Sequence, residues 1–327
     1  MKVVFMGTPD FAVASLDAIN KSKHEVVGVV TNIDKKSGRG QKVSVSAVKT
    51  YAVENELTLL QPEKFKNEAF LSELEALNAD IFVVVAFRML PEVVWAMPPK
   101  GTINLHGSIL PNYRGAAPLN WAIINGDKET GVSTFFIEKE IDTGEVIDIT
   151  KLPIGENTTA GELHDELMII GATTLVGTLD KIESGEGNGI LQNELITGDE
   201  KSAPKIFKDT CQIDWNKSAQ EVHNLVRGLS PYPVAWSNFT FKGKKVVAKI
   251  FETRIAETVK LVDGVEVAVE QLKVGKIKTD NKKYLTVGCA EGNVSVLFIQ
   301  LPGKKRIDIK SFLNGFKLDE QADFFSF

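Results

Sequence analysis

The sequence predicts an α/β protein: a doubly wound, Rossmann-like and mostly parallel N-terminal sheet, followed by a small C-terminal β-barrel of OB-like form. In the first half, short apolar strand patterns alternate with helical patterns, which is typical of a parallel sheet covered by helices. Residues 81–86 are apolar at every position, as expected for a central strand that is buried on both faces. Beyond residue 228, short apolar strands between glycine and charged turns favour a barrel.

The elements of the first half follow from local patterns. Val3–Met6 is an apolar strand that ends at Gly7, and Pro9 precedes a helix that begins near Asp10. Further strands are predicted at 26–30, 57–60, 81–86, 103–105, 132–137 and 145–149. Further helices are predicted at 46–54, 70–77, 119–124 and 158–184.

Glycines then interrupt the helical pattern, and the composition changes. The run 184–189 contains three glycines, and residues 190–206 have an extended, polar pattern. A helix at 219–228 precedes predicted strands at 246–251, 259–261, 285–287 and 294–300. The sequence therefore predicts a first domain over residues 1–185, a linker over 186–206 and a second domain over 207–327.

Composition excludes several classes of protein. The chain has 327 residues, 43% of them hydrophobic and 25% charged, which is enough for two domains with sizeable cores. The longest apolar run, residues 81–87, is too short to span a bilayer, and the N-terminal residues lack the pattern of a secretory signal. Two cysteines make no disulfide framework, so we expect a reduced, cytoplasmic protein.

The richest chemistry follows a predicted strand of the first domain. Asn104 and His106 are two positions apart, so their side chains lie on the same face of the strand. Gly107 ends the strand, and Pro111 and Gly115 form a tight loop beyond it. Doubly wound sheets bind ligands at this end of their strands. An amide that can hold a carbonyl oxygen and an imidazole that can move a proton suit acyl transfer.

Two separated blocks of sequence resemble the formyltransferases that use 10-formyltetrahydrofolate. That family carries an Asn-x-His-x-Ser-(Leu/Ile)-Leu-Pro-x-x-Arg-Gly run and a later Asp-Thr-Gly. The matching positions here are Asn104, His106, Ser108, Leu110, Pro111, Arg114, Gly115 and Pro118, and then Asp142, Thr143 and Gly144. The resemblance implies an enzyme that transfers a formyl group from 10-formyltetrahydrofolate to an amine by direct attack.

The resemblance assigns catalysis to three residues. Asn104 holds the formyl oxygen, His106 transfers a proton, and Asp142 orients His106 and relays the proton of the amine. Without that context they are a strand amide, a satisfied core histidine and a turn-forming aspartate. A nearby carboxylate predicts a His106 pKa above its usual value of about 6.5, which favours an imidazolium that stabilises the oxyanion. No metal is required, since the four histidines are scattered without ligand spacing.

The folate site is predicted from two loops. By resemblance, the residues that line it are Ser108, Ile109, Leu110, Pro111, Phe87 and Arg88. The loop at 87–91 departs from the commoner family form, which has a tyrosine and a glycine and is one residue longer. Arg114 either braces its loop or meets an anionic part of a substrate.

The opening segment bears on the class of ligand. A dinucleotide-binding protein carries Gly-x-Gly-x-x-Gly after its first strand, whereas residues 7–11 read Gly-Thr-Pro-Asp-Phe. The single glycine and the proline argue against NAD or FAD. The segment is similar to the opening of the formyltransferases that act on methionyl-tRNA.

The amine acceptor is predicted from a basic loop. Residues 31–42 are long for a strand-to-helix connection and carry four basic residues, Lys35, Lys36, Arg39 and Lys42. Such a loop suits a phosphate backbone, although a solvated loop is the plain alternative. It resembles the insertion that the methionyl-tRNA branch of the family uses against the acceptor end of initiator tRNA, with Arg39 at the corresponding position.

The C-terminal half points to the same acceptor. Relatives that act on glycinamide ribonucleotide stop near residue 200, whereas this chain continues with a second module. Residues 207–327 carry 19 basic and 14 acidic residues, against 19 and 29 in residues 1–206. Chance asymmetry and tRNA binding both fit this distribution. Four lysines are candidates for tRNA contact, with a solvated face as the alternative: Lys242, Lys244, Lys245 and Lys249.

The resemblance thus implies formylation of initiator methionyl-tRNA for translation initiation. We expect a monomer, because the sequence shows no spare apolar stripe. Two alternatives stay open. One is a formyltransferase that acts on an amino sugar nucleotide, which would need a nucleotide pocket in place of a basic surface. The other is a non-catalytic tRNA-binding protein on the same scaffold, against which the complete set Asn104, His106 and Asp142 argues.

Overall fold

The computed structural model describes residues 1–37, 42–256, 259–262, 265–268 and 270–327, without the side chains of 35–37, 42–43, 259–262 and 265–268. The chain forms two compact units. The first comprises Met1–Pro118, Glu129–Pro153 and His164–Ala203, and the second comprises Leu119–Lys128, Ile154–Leu163 and Pro204–Phe327. Among the described residues, no helix combines the length and the apolar character needed to cross a bilayer.

The first unit is built on a mixed sheet. Its strands are β1 (Lys2–Gly7), β2 (Glu25–Val30), β3 (Lys35–Ser37), β4 (Lys42–Ser44), β5 (Leu59–Leu60), β6 (Ile81–Val85), β7 (Thr102–His106), β8 (Arg114–Gly115), β9 (Glu129–Phe136), β10 (Val146–Pro153) and β11 (Ser202–Ala203). Its helices are α1 (Asp10–Asn20), α2 (Ala47–Glu54), α3 (Glu68–Ala76) and α4 (Glu92–Trp95). Helix α5 (Pro118–Ile124) begins at the boundary, α6 (Ala160–Ser184) crosses it, and α7 (Gln192–Leu195) lies in the first unit.

Sheet order places β7 beside the centre of this sheet. The order is β10-β9-β7-β6-β1-β2-β5, parallel from β7 to β5, with β9 and β10 antiparallel. Every residue of β6 is buried, because helices cover both faces of a parallel sheet. Local capping fixes the helix starts: Ser46 accepts from the Lys49 amide at α2, and Asn67 accepts from the Phe70 amide at α3. At its carboxyl end, β7 is paired on both sides, Leu105 with Val85 of β6 and His106 with Ser133 of β9.

The second unit is an antiparallel barrel with a helix packed on it. Its further elements are a 3-10 helix (Asp209–Cys211), α8 (Ala219–Gly228), β12 (Ala235–Phe241), β13 (Lys244–Ile255), β14 (Val259–Val262), β15 (Val265–Ala268), β16 (Ile277–Thr279), β17 (Leu285–Gly288), β18 (Asn293–Gln300), β19 (Ile307–Asp308), α9 (Ile309–Gly315) and β20 (Phe324–Ser326). The order is β16-β17-β18-β13-β12-β20, and β19 pairs with β18. A bridge between Lys276 and Phe324 links the two edges, so the sheet closes.

The predicted fold class is confirmed in both halves. The expectation of an extended linker over residues 190–206 was wrong. This stretch carries a short helix and β11, and β11 pairs with β8. Its polar side chains and the glycine run before it are typical of a linker, but its pairing partners lie far away in sequence. Residues up to Ala203 belong to the first unit, and two earlier segments belong to the second.

Candidate active site

The site begins with a buried imidazole at the end of β7. His106 is 6% exposed, and its Nε2 lies 2.9 Å from the carbonyl oxygen of Tyr113. A carbonyl oxygen only accepts, so Nε2 carries a hydrogen and donates it. The ring of Phe135 packs edge-on against the imidazole, with 6.4 Å between centroids. The ring is therefore fixed, and its Nδ1 points away from the bonded side.

Asp142 comes from the loop between β9 and β10 and faces that nitrogen. Its Oδ2 lies 3.9 Å from His106 Nδ1, which is beyond hydrogen-bond length. The same oxygen accepts a bond of 3.0 Å from the Gly115 amide. The two blocks of sequence, 36 positions apart at His106 and Asp142, therefore meet in one place.

Two residues of the site have left-handed backbone. Tyr113 has φ of 60° and Asp142 has φ of 56°, a region that costs a non-glycine residue roughly 1–2 kcal/mol. Gly115 has φ of 125°, and a Cβ there would lie 2.5 Å from the Ala203 carbonyl oxygen. The strained conformations aim the Tyr113 carbonyl and the Asp142 carboxylate at His106.

Asn104 supplies a polar group without a structural task. It lies two residues before His106 on β7 and is half-buried, paired in register with Phe135 of β9. Among the residues that the structure describes, its side-chain amide has no hydrogen-bond partner. A half-buried amide that the fold does not use is free to donate to a bound carbonyl oxygen.

Burial controls the charge of the imidazole. Desolvation lowers the pKa of His106 below its usual value, and the Asp142 carboxylate opposes this shift without reversing it. The carboxylate acts in the expected direction, but the expected net rise of the His106 pKa above its usual value was wrong, because local patterns carry no measure of how completely the ring is buried. The lowered pKa favours a neutral resting imidazole with its hydrogen on Nε2, and Nδ1 has no hydrogen-bond partner among the residues that the structure describes.

The loop predicted to line the folate site is mostly internal. Ser108 and Leu110 are buried, at 0% and 1% exposure, and Pro111 is buried as well. The Ser108 hydroxyl donates to the Asn112 carbonyl. Ile109 is half-buried. This loop therefore forms a rigid wall, with Ile109 as its more accessible side chain.

Phe87 and Arg88 follow β6, and the side chains of both pack against the ring of Phe65. The Arg88 guanidinium carbon lies 4.0 Å from the ring centroid of Phe65, and the guanidinium donates to the carbonyls of Pro62 and Glu63. The rings of Phe87 and Phe65 contact each other edge-on at 5.8 Å. Arg88 thus braces the 62–65 segment, and Phe87 is the half-buried surface that this brace supports.

The basic loop is only partly described. Lys35, Lys36 and Lys42 lie on the paired strands β3 and β4, whose side chains fall outside the description. Arg39 lies outside the described residues altogether. The base of the loop is anchored, since Lys49 Nζ lies 2.6 Å from Asp34 Oδ2 and Gln61 donates to Asp34 Oδ1.

Sequence reasoning missed Gln192, which is 2% exposed. The Arg114 guanidinium donates twice to its Oε1, which answers the open question on Arg114: it braces the loop. Gln192 also contacts the loop of Asp142. A glutamine in a polar stretch carries no local signal, so only the tertiary structure reveals it.

One group of side chains within the described residues has the geometry of a cation site. Ligand atoms of His24, Asp180 and Glu183 lie within 4.8 Å of one another. Lys23 Nζ lies 3.0 Å from both carboxylates, so this group, in which His24 is buried and Glu183 is exposed, is an ion-pair cluster. It shares no residue with the site at His106.

Comparison with known proteins identifies the class. Residues 1–179 match the model of the formyl transferase family, and residues 205–317 match that of the formyl transferase C-terminal domain. The chain therefore belongs to the formyl transferase family. It is 50% identical over 322 residues to the methionyl-tRNA formyltransferase of Bacteroides thetaiotaomicron, covering 98% of this chain and 97% of that one. It is 48% identical to the protein of the same name from Flavobacterium johnsoniae, covering 98% of both chains.

Solved structures share the fold at lower identity. One is the N-formyltransferase of Helicobacter canadensis in complex with folinic acid and dTDP-3-aminofucose, with a TM-score of 0.63, 20% identity, and coverage of 90% of this chain and 98% of that chain. Another is HypX of Aquifex aeolicus in complex with tetrahydrofolic acid, with a TM-score of 0.61 and 18% identity. That match covers all of this chain and 51% of HypX. These likenesses concern the fold.

Proposed function

We propose that this protein transfers the formyl group of 10-formyltetrahydrofolate to the amino group of initiator methionyl-tRNA, for translation initiation. Two relatives named methionyl-tRNA formyltransferase are 50% and 48% identical to this chain and cover 98% of it. The observation that carries the proposal is the bare Nδ1 of buried His106, 3.9 Å from Asp142 and on the strand that holds the unbonded Asn104 amide.

The neutral imidazole suits the first step. The amino group of methionyl-tRNA attacks the formyl carbon, and the nitrogen must lose a proton as the new C–N bond forms. His106 Nδ1 is the acceptor that the geometry offers for this proton, directly or through a water. The Asp142 carboxylate then stabilises the imidazolium, because opposite charges at this separation attract strongly in a buried site.

Asn104 and the returning proton suit the second step. As the formyl oxygen gains negative charge, the Asn104 amide donates to it, a contact of the kind that is worth about 10² or more in rate. The tetrahedral carbon then expels N10 of tetrahydrofolate, to which the His106 imidazolium returns the proton. The formyl group ends on the methionyl nitrogen, and every proton is accounted for by one imidazole.

For the substrates, we infer that Ile109 and Phe87 form part of the folate surface, because both are accessible beside the rigid loops that carry them. We infer that Lys35, Lys36, Arg39 and Lys42 meet the phosphates of tRNA, since positive charge on a strand-to-helix loop favours such contact. A cytoplasmic monomer is the corresponding proposal for location and assembly.

The test supplies the protein with 10-formyltetrahydrofolate and methionyl-initiator-tRNA and measures formyl-methionine released from the tRNA. We expect transfer to the tRNA and none to a dTDP-amino sugar offered in parallel. Transfer to the amino sugar alone would show that the acceptor is a sugar nucleotide, while the roles proposed for the residues of the site would stand. Absence of transfer to either acceptor, with folate bound, would support a binding protein and overturn the proposal. Arg39→Ala should weaken use of tRNA and leave folate binding unchanged.

A further inference from the structure

Gln192 joins the two loops that build the site. Its Oε1 accepts from Arg114 Nε at 2.9 Å and from an Arg114 terminal nitrogen at 2.6 Å. Its Nε2 donates to the carbonyl oxygens of Asp142 at 3.0 Å and of Gly144 at 2.8 Å. One buried side chain thus uses both its oxygen and its nitrogen, twice each, and spans 78 positions of sequence to Arg114.

The segment around Gln192 is itself held against both loops. Ile190 and Val146 exchange two main-chain bonds of 2.9 and 2.8 Å, which fixes the chain just after the Asp142 loop. The Tyr113 amide donates to the Lys201 carbonyl, and β11 pairs with β8. We call residues 190–203 the strap. The strap contacts the loop whose Tyr113 carbonyl fixes His106 and the loop that carries Asp142.

We propose that Gln192 is a positioning residue for formyl transfer: it holds the main chain of the Asp142 loop so that the Asp142 carboxylate faces His106 Nδ1. This inference rests on the proposed function. The residue type is specific, because only a side-chain amide offers an acceptor to Arg114 and donors to two carbonyls at the same point. A glutamate would keep the bonds from Arg114 but place an oxygen against the carbonyls of Asp142 and Gly144.

The hydrogen bonds of Gln192 have two halves, the acceptor half toward Arg114 and the donor half toward the Asp142 loop. Two Gln192 variants separate these halves, and a variant of the neighbouring Asn193 is the control. Gln192→Leu removes both halves, Gln192→Glu removes only the donors to the Asp142 loop, and Asn193→Ala changes an exposed residue of the same helix. We expect kcat per folded molecule to fall about ten- to hundredfold in both Gln192 variants, because small misplacement of a catalytic group has effects of that size. KM for folate and for tRNA should stay within about twofold, and Asn193→Ala should match the wild type.

A double-mutant cycle tests whether the effect passes through Asp142. In an Asp142→Asn background, Gln192→Leu should lower kcat no further, because the carboxylate that it positions is already gone. An additive loss in the double variant would overturn the proposal, as would an unchanged kcat in Gln192→Glu. Both comparisons require a wild type that transfers formyl groups, so an inactive wild type counts against the proposed function alone.

A readout without turnover keeps the inference testable in that case. The groups that face the His106 ring are the Asp142 carboxylate, the Tyr113 carbonyl and the Phe135 ring. Of these, the Asp142 carboxylate and, to a smaller extent, the hydrogen bond to the Tyr113 carbonyl raise the His106 pKa. NMR titration of the His106 ring should therefore give a lower pKa in Gln192→Leu than in the wild type. An unchanged pKa would contradict a role in placing Asp142.

Discussion

His106 of the first unit and His223 of the second are both buried but have different environments. His106 is 6% exposed and His223 is 2% exposed, and burial lowers the pKa of both. In the second unit, both ring nitrogens of His223 have neutral partners: Nδ1 lies 3.0 Å from Thr253 Oγ1, and Nε2 lies 3.2 Å from the Glu156 carbonyl. In the first unit, Nε2 of His106 has such a partner, whereas Nδ1 faces a carboxylate and makes no hydrogen bond to any residue that the structure describes.

The difference teaches which buried polar group is available for chemistry. A buried polar atom without a partner costs free energy, so a fold normally satisfies it. The second unit does so for His223, which makes that ring part of the framework. Within the described part of the first unit, Nδ1 of His106 has no hydrogen bond and lies beside Asp142. Burial and pKa alone would not have distinguished the two rings, whereas their hydrogen bonds do.

Two amides repeat the contrast. Asn224 on α8 is 4% exposed, and its Oδ1 accepts from Gln220 and from the Arg227 guanidinium. Arg227 in turn donates to the carbonyls of Gly155 and Thr158. Asn104 on β7 has no such bonds among the described residues. The second unit uses its amide to hold a buried guanidinium, while the first presents its amide to a site.

The largest expected effect comes from exchanging the two histidines for glutamine. His106→Gln should lower kcat about 10²–10⁴-fold, because it removes the base. His223→Gln should leave kcat per folded molecule within about twofold and lower the free energy of unfolding. Formyl transfer, normalised to folded protein, is the measurement. Similar losses of kcat in the two variants would break the contrast between the rings.

Alanine at the two amides should give a smaller effect of the same kind. Asn104→Ala should lower kcat about 10²–10³-fold through loss of a donor to the formyl oxygen. Its free energy of unfolding should change by less than about 0.5 kcal/mol, since no bond of the fold is lost. Asn224→Ala should instead lose about 1–3 kcal/mol of stability. Urea unfolding and steady-state kinetics on both variants check this, and an unstable Asn104→Ala would contradict it.

Thr253→Val sharpens the account of His223. The valine removes the hydroxyl that donates to Nδ1, so a buried nitrogen loses its partner and the free energy of unfolding should fall by about 1–3 kcal/mol. Thr240→Val on β12 is the control, because that half-buried hydroxyl has no bond within the described part of the chain. Equal losses in the two variants, measured by urea unfolding, would show that the bond to His223 is not the cause.

The pH dependence of stability is the smallest effect. The pKa of His223 is lowered in the folded state, so the unfolded chain takes up a proton first as the pH falls below about 6.5. The contribution to stability is complete above that pH and declines below it, by at most about 1.4 kcal/mol per pH unit per histidine. Urea unfolding at pH 7.5 and 5.5 should show the decline, and His223→Gln should reduce it. A decline that is unchanged in His223→Gln would contradict the assignment.

Parts of the site with a local signature could be predicted from the sequence. Asn104 and His106 belong together because strand residues two apart share a face, and the glycine and proline after them mark the loop. The alternation of strands and helices likewise predicted the parallel sheet. Local patterns could not supply the extent of burial. The predicted direction of the His106 pKa shift was therefore wrong.

Gln192 shows a second limit. Its hydrogen-bond partners lie 48 to 78 positions away, and no residue beside it in the sequence belongs to a motif of the family. No periodicity marks a short helix such as α7, and no spacing rule connects Gln192 with Arg114 and the Asp142 loop. Such a residue emerges only once every buried polar atom has been matched to its partner.

The tautomer of His106 tests the central claim most directly, because the base must be a bare Nδ1. Ring ¹⁵N NMR at pH 7, assigned with His106→Gln and His223→Gln, separates protonated from unprotonated nitrogens. We expect His106 to show a protonated Nε2 and an unprotonated Nδ1. A hydrogen on Nδ1 at that pH, shared with Asp142, would contradict it.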